Sequence, residues 1–312
     1  EPSLGAQSKR RRSGRTGGTS TSRTGVRGSQ MVAQEPSVRT LAEILAWHPL
    51  IDLAWRAAGE AAAFLHTQRP VDLEVETKST PTDVVTSMDK AAEHLLHERL
   101  LGERPGDGLL GEEGADQAGS TGIRWVVDPL DGTVNYLYRI PLWGVSVAAE
   151  DADVGEAVVG VIITPETGEG FIGIRGRGSW RIVGDIGERM SVRACSSLSQ
   201  AMVATGFGYA PRRRASQADV LREVIPAVRD IRRTGCAVVD FTWLARGRTD
   251  AYYERGLNPW DVAAGALIAR EAGALVRQLD DSNPGTFVAA VPDISDELVE
   301  ALRGAGMMER PH

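Results

Sequence analysis

The most informative stretch of this 312-residue sequence covers residues Trp125–Ile140 and reads WVVDPLDGTVNYLYRI. Its apolar start predicts a strand, and the strand delivers two carboxylates, Asp128 and Asp131, to a sharp turn. Gly132 and Thr133 follow at a point where a short helix can begin, so their backbone N–H groups can face an anion. Carboxylates that hold hard cations, next to N–H groups that face an anion, are the two parts of a metal-dependent phosphate site.

Two segments before this stretch carry acidic residues as well. Gly111–Glu113 ends a short apolar run, about one strand and one turn upstream. Earlier still, an extended piece leads into a helix that Thr86 or Ser87 can cap. That start places Asp89 in the first turn of the helix. Both segments therefore offer carboxylates at the end of one element or the beginning of the next.

A fourth acidic segment lies downstream, where Asp261 opens a helix whose small residues allow close packing. Seen alone, Asp89 or Asp261 would be read as a helix cap, and Lys78 or the pair Glu112–Glu113 as solvated charge. Their occurrence in one order along the chain favours a shared site instead. Four acidic elements of this kind are what a site for several metal ions requires.

Three motifs together resemble the inositol monophosphatase family, over about residues 45–305. They are Gly-Glu-Glu at 111–113, Asp-Pro-Leu-Asp-Gly-Thr at 128–133 and Trp-Asp-Val-Ala-Ala-Gly at 260–265. The resemblance implies a mixed α+β and α/β fold, the layered αβαβα sandwich of the inositol monophosphatase and fructose-1,6-bisphosphatase type. It also implies a homodimeric, Mg²⁺-dependent phosphomonoesterase that Li⁺ inhibits.

The resemblance further implies a set of metal ligands. Glu112, Asp128 and the backbone carbonyl of Leu130 would hold the first Mg²⁺ ion. Asp128, Asp131 and Asp261 would hold the second, with Asp128 bridging the two. A third, weaker site would involve Glu112 and water, so that two or three Mg²⁺ ions serve each site. Carboxylate and carbonyl oxygens are the ligands that this hard cation prefers.

The same resemblance implies the catalytic roles. The nucleophile would be a metal-activated water, which the Thr133 hydroxyl orients while Asp89 accepts the Thr133 proton. Phosphate oxygens would meet the N–H groups of Gly132 and Thr133, and glycine at 132 would leave room for them. Lys78 would neutralise the phosphate or tune the metal region. Asp83 would support the loop that carries Lys78.

The predicted substrate is a small-molecule phosphate ester, myo-inositol 1-phosphate. Asp131 and Glu254 match positions that contact ring hydroxyls in the family, and Gly235 and Ala237 would line the same wall. Asn258–Pro259 departs from the residues expected beside the substrate. Sibling esters therefore stay open as alternatives: histidinol phosphate, fructose 1,6-bisphosphate and 3′-phosphoadenosine 5′-phosphate.

The charge of the chain is uneven. Residues 1–30 contain seven Lys or Arg residues and one acidic residue, whereas the whole chain has a net charge of −7. The first 30 residues are rich in Ser, Thr, Gly and Arg, which predicts disorder. An unstructured or wrongly assigned extension, an arm that binds nucleic acid or an anionic surface, and a transit peptide are the three interpretations. The arm is the one route by which nucleic acid would be a partner, as in an RNA- or transcription-associated relative.

We predict four regions from composition and pattern. Residues 1–40 form the extension, 41–190 an α+β half with most of the metal ligands, 191–305 an α/β half, and 306–312 a tail. The two cysteines, Cys195 and Cys236, are too few for a disulfide framework, which fits a reducing cytoplasm. We expect both to be small buried hydrophobic residues. The sequence has no apolar run long enough for a membrane-spanning helix.

Hydrophobic periodicity predicts the elements of these two halves. Helices are expected over 51–68, 89–101, 215–228, 237–245, 259–271 and 295–302. Strands are expected over 123–127, 144–149, 157–163, 169–174, 179–182, 202–205, 230–232, 250–253, 275–277 and 287–290. The run Arg212–Arg214 is expected on a loop, as a solvated run, an additional phosphate contact or a dimer contact.

Overall fold

Strands follow one another without an α-helix over residues 144–205 of the described chain, and strands alternate with helices after that. A computed structural model describes residues 37–71, 75–77, 80 and 84–308. Most of the predicted extension over residues 1–40 lies outside these residues, as do Lys78, Asp83 and the last four residues of the predicted tail. No helix of the described residues is long and apolar enough to cross a membrane.

The described residues form sixteen strands and eight α-helices. The strands, in chain order, are β1 (Val38–Thr40), β2 (Val75–Thr77), β3 (Val84–Thr86), β4 (Gly108–Gly111), β5 (Asp116–Gln117), β6 (Ile123–Asp131), β7 (Gly144–Asp151), β8 (Glu156–Thr164), β9 (Glu169–Ile174), β10 (Gly178–Val183), β11 (Ile186–Arg189), β12 (Met202–Thr205), β13 (Asp230–Arg232), β14 (Ala251–Leu257), β15 (Leu275–Gln278) and β16 (Gly285–Ala290). The helices are α1 (Leu41–Leu45), α2 (Ile51–Thr67), α3 (Ser87–Glu103), α4 (Thr133–Leu137), α5 (Pro211–Val224), α6 (Ala237–Ala245), α7 (Pro259–Glu271) and α8 (Pro292–Gly304).

The larger sheet has the strand order β1-β11-β10-β9-β8-β7-β6-β4-β5. Its pairs are antiparallel except for β4 and β6, which run parallel. Every residue of β9 is buried, which is typical of a strand covered on both faces. Helices α2 and α3 cover one face, and the alanines of α2 let that helix lie close to the sheet. The opposite face meets α6 and α7.

Helix α7 packs closely against the larger sheet because the strands have glycine at the points of contact. A Cβ atom at Gly160 would lie 3.0 Å from the Ala264 backbone, and one at Gly173 would lie 2.9 Å from the Ile268 side chain. Any larger residue at these positions would push the helix away from the sheet. The layer that α6 and α7 form is therefore held at a fixed distance from the larger sheet.

The smaller sheet has the order β13-β12-β14-β16-β15 and completes the layers. Strands β13, β12 and β14 are parallel, and β14, β16 and β15 are antiparallel. Residues of α5 and α8 join the core of this sheet. The order of layers is helices, large sheet, helices, small sheet, helices. The αβαβα sandwich expected from the sequence is thus confirmed.

Most element predictions are confirmed, and two are wrong in ways that bear on the site. Helices α6 and α7 occupy the predicted residues. Helix α5 begins at Pro211 instead of residue 215, because proline suits the first helical position. Arg212–Arg214 therefore lies in the first turn of a helix, not on a loop. Strand β6 continues to Asp131 instead of ending at residue 127.

Candidate active site

The end of β6 brings Asp128 and Asp131 to the edge of a cavity. The pairing of β6 with β7 is irregular between these two residues, where Pro129 interrupts the ladder. Asp128 is 1% exposed, and its Oδ1 atom accepts a hydrogen bond of 3.0 Å from the Leu130 N–H. Its second oxygen, Oδ2, is buried with no hydrogen-bond partner. Asp128 thus keeps one buried oxygen for a ligand.

Glu112 lies beside Asp128 because of strand register. In the parallel pair of β4 and β6, Gly111 is opposite Val127, so the residues that follow each of them are neighbours. Glu93, on α3, holds the turn that carries Glu112. Its Oε2 accepts a 2.7 Å bond from the Glu113 N–H, and its Oε1 accepts a 3.0 Å bond from the N–H two residues later. This role of Glu93 was not predicted from the sequence.

Asp131, at the end of β6, and Asp261, in α7, each bind the start of a helix that lies between the sheets. The Asp131 Oδ2 accepts a 2.7 Å hydrogen bond from the Val238 N–H, near the start of α6. Asp261 lies in the first turn of α7, and its Oδ2 accepts a 2.6 Å bond from the Asn258 N–H in a capping box. The two carboxylates therefore cap helices, and both also line the cavity.

The carboxylates raise one another's pKa. Burial raises the pKa of Asp128 well above its ordinary value, and the charges of its neighbours, Glu112 first, raise it further. Burial also raises the pKa of Asp261, again with help from nearby carboxylates. For Asp131, burial raises the pKa although backbone N–H groups oppose the change. The effects of burial and of the neighbouring carboxylates on Asp128 all disfavour its ionised form, so a cation would stabilise the cluster.

The donor set fits a hard cation such as Mg²⁺. Carboxylate oxygens and the unpartnered Oδ2 of Asp128 are the kind of ligand that this ion takes. Within the ranges that the structure describes, however, no three His, Cys, Asp or Glu side chains are grouped so that they could hold a metal ion as they stand. Asp131 and Asp261 instead accept hydrogen bonds from the backbone N–H groups of Val238 and Asn258. The charge and chemistry of the cluster suit a metal, whereas the present side-chain orientations serve the fold.

Thr133 and Asp89 form a buried pair, although 44 residues separate them. The Thr133 Oγ1 lies 3.0 Å from the Asp89 Oδ1 and 3.1 Å from the Leu130 carbonyl oxygen. The other oxygen of Asp89 accepts bonds from the Thr86 backbone and hydroxyl, which makes Thr86 the cap of α3. The predicted association of Thr133 with Asp89 is therefore present.

Gly132 joins β6 to the short helix α4. Its φ angle is 88°, in the left-handed region that favours glycine. A Cβ atom here would lie 3.0 Å from the Leu142 carbonyl oxygen and 3.2 Å from the Cys236 side chain. Glycine is thus required by the backbone and by its protein neighbours. Room for a phosphate, the reason expected from the sequence, is not needed to explain it.

These residues line a cavity of about 420 Å³. The structure brings together on its surface all but three of the predicted site residues: Glu112, Asp128, Leu130, Asp131, Gly132, Thr133, Gly235, Ala237, Glu254 and Asp261. Asp89 lies behind Thr133 and is not part of the lining. The position of Lys78, and of Asp83 beside it, falls outside the described residues.

Glu254 forms part of the cavity wall that the small sheet supplies. The Tyr252 hydroxyl donates a 2.8 Å hydrogen bond to its Oε2. Burial raises the pKa of Glu254 to about 7, and the Tyr252 bond opposes that rise. A Cβ atom at Gly206 would collide with the Glu254 carboxylate, so glycine at 206 makes the space in which this side chain lies.

Two charged residues of the cavity lining were not predicted as site residues, Arg213 and Arg233. Arg233 lies near the carboxylates of Asp240 and Glu254, and its charge lowers the pKa of both against the larger effect of burial. Its position two residues before Gly235 was the available signal. Arg213 belongs to the run that was assigned to a loop, where an additional phosphate contact was one of three interpretations.

Comparison with known proteins agrees with the motifs. The model of the inositol monophosphatase family matches residues 46–304. The inositol-1-monophosphatase of Mycobacterium leprae is 44% identical over 268 residues, which cover 79% of this chain and 90% of that protein. The Nus factor SuhB of Escherichia coli is 32% identical, over 82% of this chain and 99% of its own length.

A solved structure also has the same fold. The crystal structure of the extragenic suppressor protein suhB from Bartonella henselae superposes with a TM-score of 0.75 and is 34% identical. The match covers 82% of this chain and 99% of that chain. The described fold and these relatives therefore agree on the layered sandwich and on the family motifs at one end of it.

Proposed function

The chain belongs to the inositol monophosphatase family and is a phosphoric monoester hydrolase, and from this premise we propose that it hydrolyses myo-inositol 1-phosphate with Mg²⁺. The observation that carries the proposal is the cluster of mutually repelling carboxylates around the unpartnered Oδ2 of Asp128. Such a cluster destabilises the protein unless cations bind there. Its place on the wall of a 420 Å³ cavity leaves room for a small ester beside the ions.

In this proposal Glu112, Asp128 and the Leu130 carbonyl hold one ion, while Asp128, Asp131 and Asp261 hold another. When bound, Mg²⁺ supplies positive charge that neutralises phosphoryl oxygens and favours ionisation of the attacking water. The number of ions, two or three, is part of the proposal. Both hydrogen bonds from Asn258 go to the Asp261 Oδ2, so its Oδ1 is the oxygen that we assign to a metal ion.

The proton path that we propose uses Thr133 and Asp89. As the attacking water gives a proton to the Thr133 oxygen, the proton of the Thr133 hydroxyl would pass to the Asp89 Oδ1, 3.0 Å away. Asp89 keeps its place because its second oxygen is fixed at the cap of α3. The N–H groups of Gly132 and Thr133 would donate to the phosphate oxygens.

The substrate's ring would lie against Glu254. A carboxylate fixed by the Tyr252 hydroxyl accepts hydrogen bonds from ring hydroxyls in a set direction. Asp131, Gly235 and Ala237 line the cavity with it, which suits a small polyhydroxylated ring. These contacts favour an inositol phosphate over a nucleotide, because the described wall offers acceptors for hydroxyls.

The test is phosphate release from four esters at matched concentration, with Mg²⁺, with EDTA, and with Mg²⁺ plus Li⁺. The esters are inositol 1-phosphate, histidinol phosphate, fructose 1,6-bisphosphate and 3′-phosphoadenosine 5′-phosphate. We expect Mg²⁺-dependent, Li⁺-sensitive release with inositol 1-phosphate preferred. Preference for another ester would keep the metal site and reject the substrate. Release that EDTA does not reduce would reject the metal site.

A second candidate function rests on the similarity to a relative named Nus factor. Its proposed form is association with RNA or the transcription machinery, through the Arg-rich residues 1–30, which lie outside the described residues. The test is RNA binding by the full chain and by a chain lacking residues 1–30, at several salt concentrations. Binding that persists without those residues would reject this route. A homodimer and a cytoplasmic location also stay predictions, and sedimentation would test the first.

A further inference from the structure

Arg213 differs from the two arginines beside it. Arg212 is exposed to solvent, and Arg214 donates hydrogen bonds to the carbonyl groups of Gly208 and Tyr209. Arg213 is half-buried and lines the cavity of the proposed active site. Among the described residues it has no ion pair with a carboxylate. One arginine of the run therefore directs an uncompensated charge into the cavity.

The fold makes room for the Arg213 side chain with two glycines. A Cβ atom at Gly208 would lie 2.6 Å from the Arg213 Cδ, and one at Gly256 would lie 2.5 Å from its Nη1. Gly256 also has a φ angle of 94°, which favours glycine. The segment before α5 and strand β14 thus lack side chains at the places where the guanidinium and its stem lie. This arrangement fixes Arg213 at the cavity wall.

Stability of the fold does not explain a positive charge at this position. Arg213 lies in the first turn of α5, the end of a helix where a cation is unfavourable. It also lies near Arg255, whose pKa is lowered by burial first and by the charge of Arg213 second. Arg233, in contrast, is compensated by Asp240 and Glu254. The cavity therefore has one arginine whose charge an anionic ligand would relieve.

We propose that Arg213 binds a second phosphate group where an ester carries one, so that of two esters of the same polyol the enzyme favours the one with a further phosphate, while inositol 1-phosphate remains the preferred substrate. This inference rests on the proposed function, because it places the reacting phosphate at the carboxylate cluster around Asp128. Arg213 contacts Gly208 and Gly256, whereas Glu112 and Asp128 come from the edge of the large sheet. A guanidinium can donate two parallel hydrogen bonds to one phosphate, which gives both attraction and orientation.

The experiment compares fructose 1,6-bisphosphate with fructose 1-phosphate, two esters that differ only in the second phosphate. The ratio of their kcat/KM values is measured for the wild-type enzyme, Arg213→Ala, Arg213→Lys and the exposed neighbour Arg212→Ala as the matched control. We expect the ratio to fall about tenfold or more in Arg213→Ala. It should fall less in Arg213→Lys, which keeps the charge, and stay at the wild-type value in Arg212→Ala.

Three results would overturn the inference. One is a wild-type enzyme that hydrolyses inositol 1-phosphate but treats the two fructose esters alike or hydrolyses neither. Another is an equal fall of the ratio in Arg213→Ala and Arg212→Ala, which would indicate a general field effect. The third is a wild-type enzyme with no Mg²⁺-dependent release from any of these esters, which rejects the proposed function and this inference with it. Inorganic phosphate release is the readout throughout, and circular dichroism confirms that each variant is folded.

Discussion

The Thr133 hydroxyl lies 3.0 Å from the Asp89 Oδ1 at a buried junction between the strand β6 turn and the helix α3. The same carboxylate caps α3 through its second oxygen, which accepts the Thr86 N–H at 2.9 Å. One side chain therefore links helix stability to the position of the proposed catalytic hydroxyl. Because the two oxygens do different work, substitutions can separate the two roles.

Removal of the Thr133 hydroxyl should lower kcat and leave KM almost unchanged. Thr133→Ala is expected to lower kcat by about a hundredfold or more, because the hydroxyl acts on the attacking water. Thr133→Ser keeps the hydroxyl and should retain most of the activity. The measurement is steady-state phosphate release from inositol 1-phosphate. Equal rates for the two variants would contradict the role of Thr133.

Substitutions of Asp89 should separate its effect on kcat from its effect on the stability of the protein. Asp89→Asn can keep an acceptor for the Thr86 N–H but presents an amide to Thr133, so kcat should fall while stability changes little. Asp89→Ala also leaves the Thr86 N–H without its partner and should lower the free energy of unfolding by about 1–2 kcal/mol. The free energy of unfolding in denaturant and the kcat value are measured for both variants and compared. A loss of stability without loss of kcat would leave Asp89 a cap only.

The Glu112 turn should control metal affinity through Glu93. Glu112→Gln removes a proposed ligand and should abolish most activity, whereas the neighbouring Glu113→Gln serves as the control and should remain active. Glu93→Gln weakens the two bonds that hold this turn and should raise the Mg²⁺ concentration for half-maximal activity by about tenfold. Activity at saturating Mg²⁺ should recover in Glu93→Gln. A fall of kcat that Mg²⁺ does not restore would rule out this positioning role.

The pH dependence of substrate binding should report Glu254. Burial raises its pKa to about 7, so the carboxyl is protonated below that pH and ionised above it. The ionised form is the better acceptor for ring hydroxyls, so KM for inositol 1-phosphate should decrease from about pH 6 to about pH 8. Glu254→Gln should lose this step. Tyr252→Phe removes a bond that lowers the pKa and should move the midpoint upward.

The ionisation of the substrate phosphate occurs in the same pH range and must be separated from that of Glu254. It is the same for the wild type and for each variant, so the difference between their KM profiles isolates the protein group. An unchanged midpoint in Glu254→Gln would show that another group titrates.

The ionised carboxylate of Glu169 should stabilise the folded protein at neutral pH, and this stabilisation should be lost in acid. Burial alone would raise its pKa, but the ion pairs with Arg181 and Arg246 outweigh burial and lower it. A lowered pKa in the folded state means that this stabilisation is present above about pH 4.3 and is lost as the pH falls through the folded-state value. Glu169→Gln should reduce the free energy of unfolding by about 2 kcal/mol at pH 7 and weaken its decline in acid.

The control for Glu169 is Glu103, whose pair with Arg56 is exposed on both sides. Exposed ion pairs contribute little to stability, so Glu103→Gln should unfold almost as the wild type does. Chemical unfolding at pH 7 and at about pH 4 measures both variants. A larger loss of unfolding free energy in Glu103→Gln than in Glu169→Gln would contradict the greater contribution of the buried ion pairs.

Local pattern was enough to predict the elements that carry the site. Helices α6 and α7 appear at the predicted residues because each has a clear start signal, Gly235 before one and Pro259 at the other. Strand β1 and helix α1 were not predicted, since β1 lies within residues 1–40, which were assigned to the extension, and α1 directly follows them. The predicted start of α5, residue 215, lies too late in the chain because Arg212–Arg214 in the first turn give no apolar periodicity.

What could not be predicted depends on contacts between distant residues. Asp131 accepts its bond from Val238, which is 107 residues away, and nothing local signals that pairing. Arg213 has the same residue type as its exposed neighbour Arg212, and only its packing against Gly208 and Gly256 places it at the cavity. The reason for Gly132 was also outside the sequence, because its neighbours Leu142 and Cys236 come from other elements.

The most direct test of the carboxylate cluster is Mg²⁺-dependent phosphate release from inositol 1-phosphate by the wild-type enzyme and by Asp128→Asn. We expect the wild type to be active with Mg²⁺ and inactive with EDTA. Asp128→Asn should lose activity by about a thousandfold while it stays folded, because it removes the buried oxygen that has no protein partner. Wild-type rates in Asp128→Asn, or release that EDTA leaves unchanged, would contradict a metal-dependent mechanism at this site.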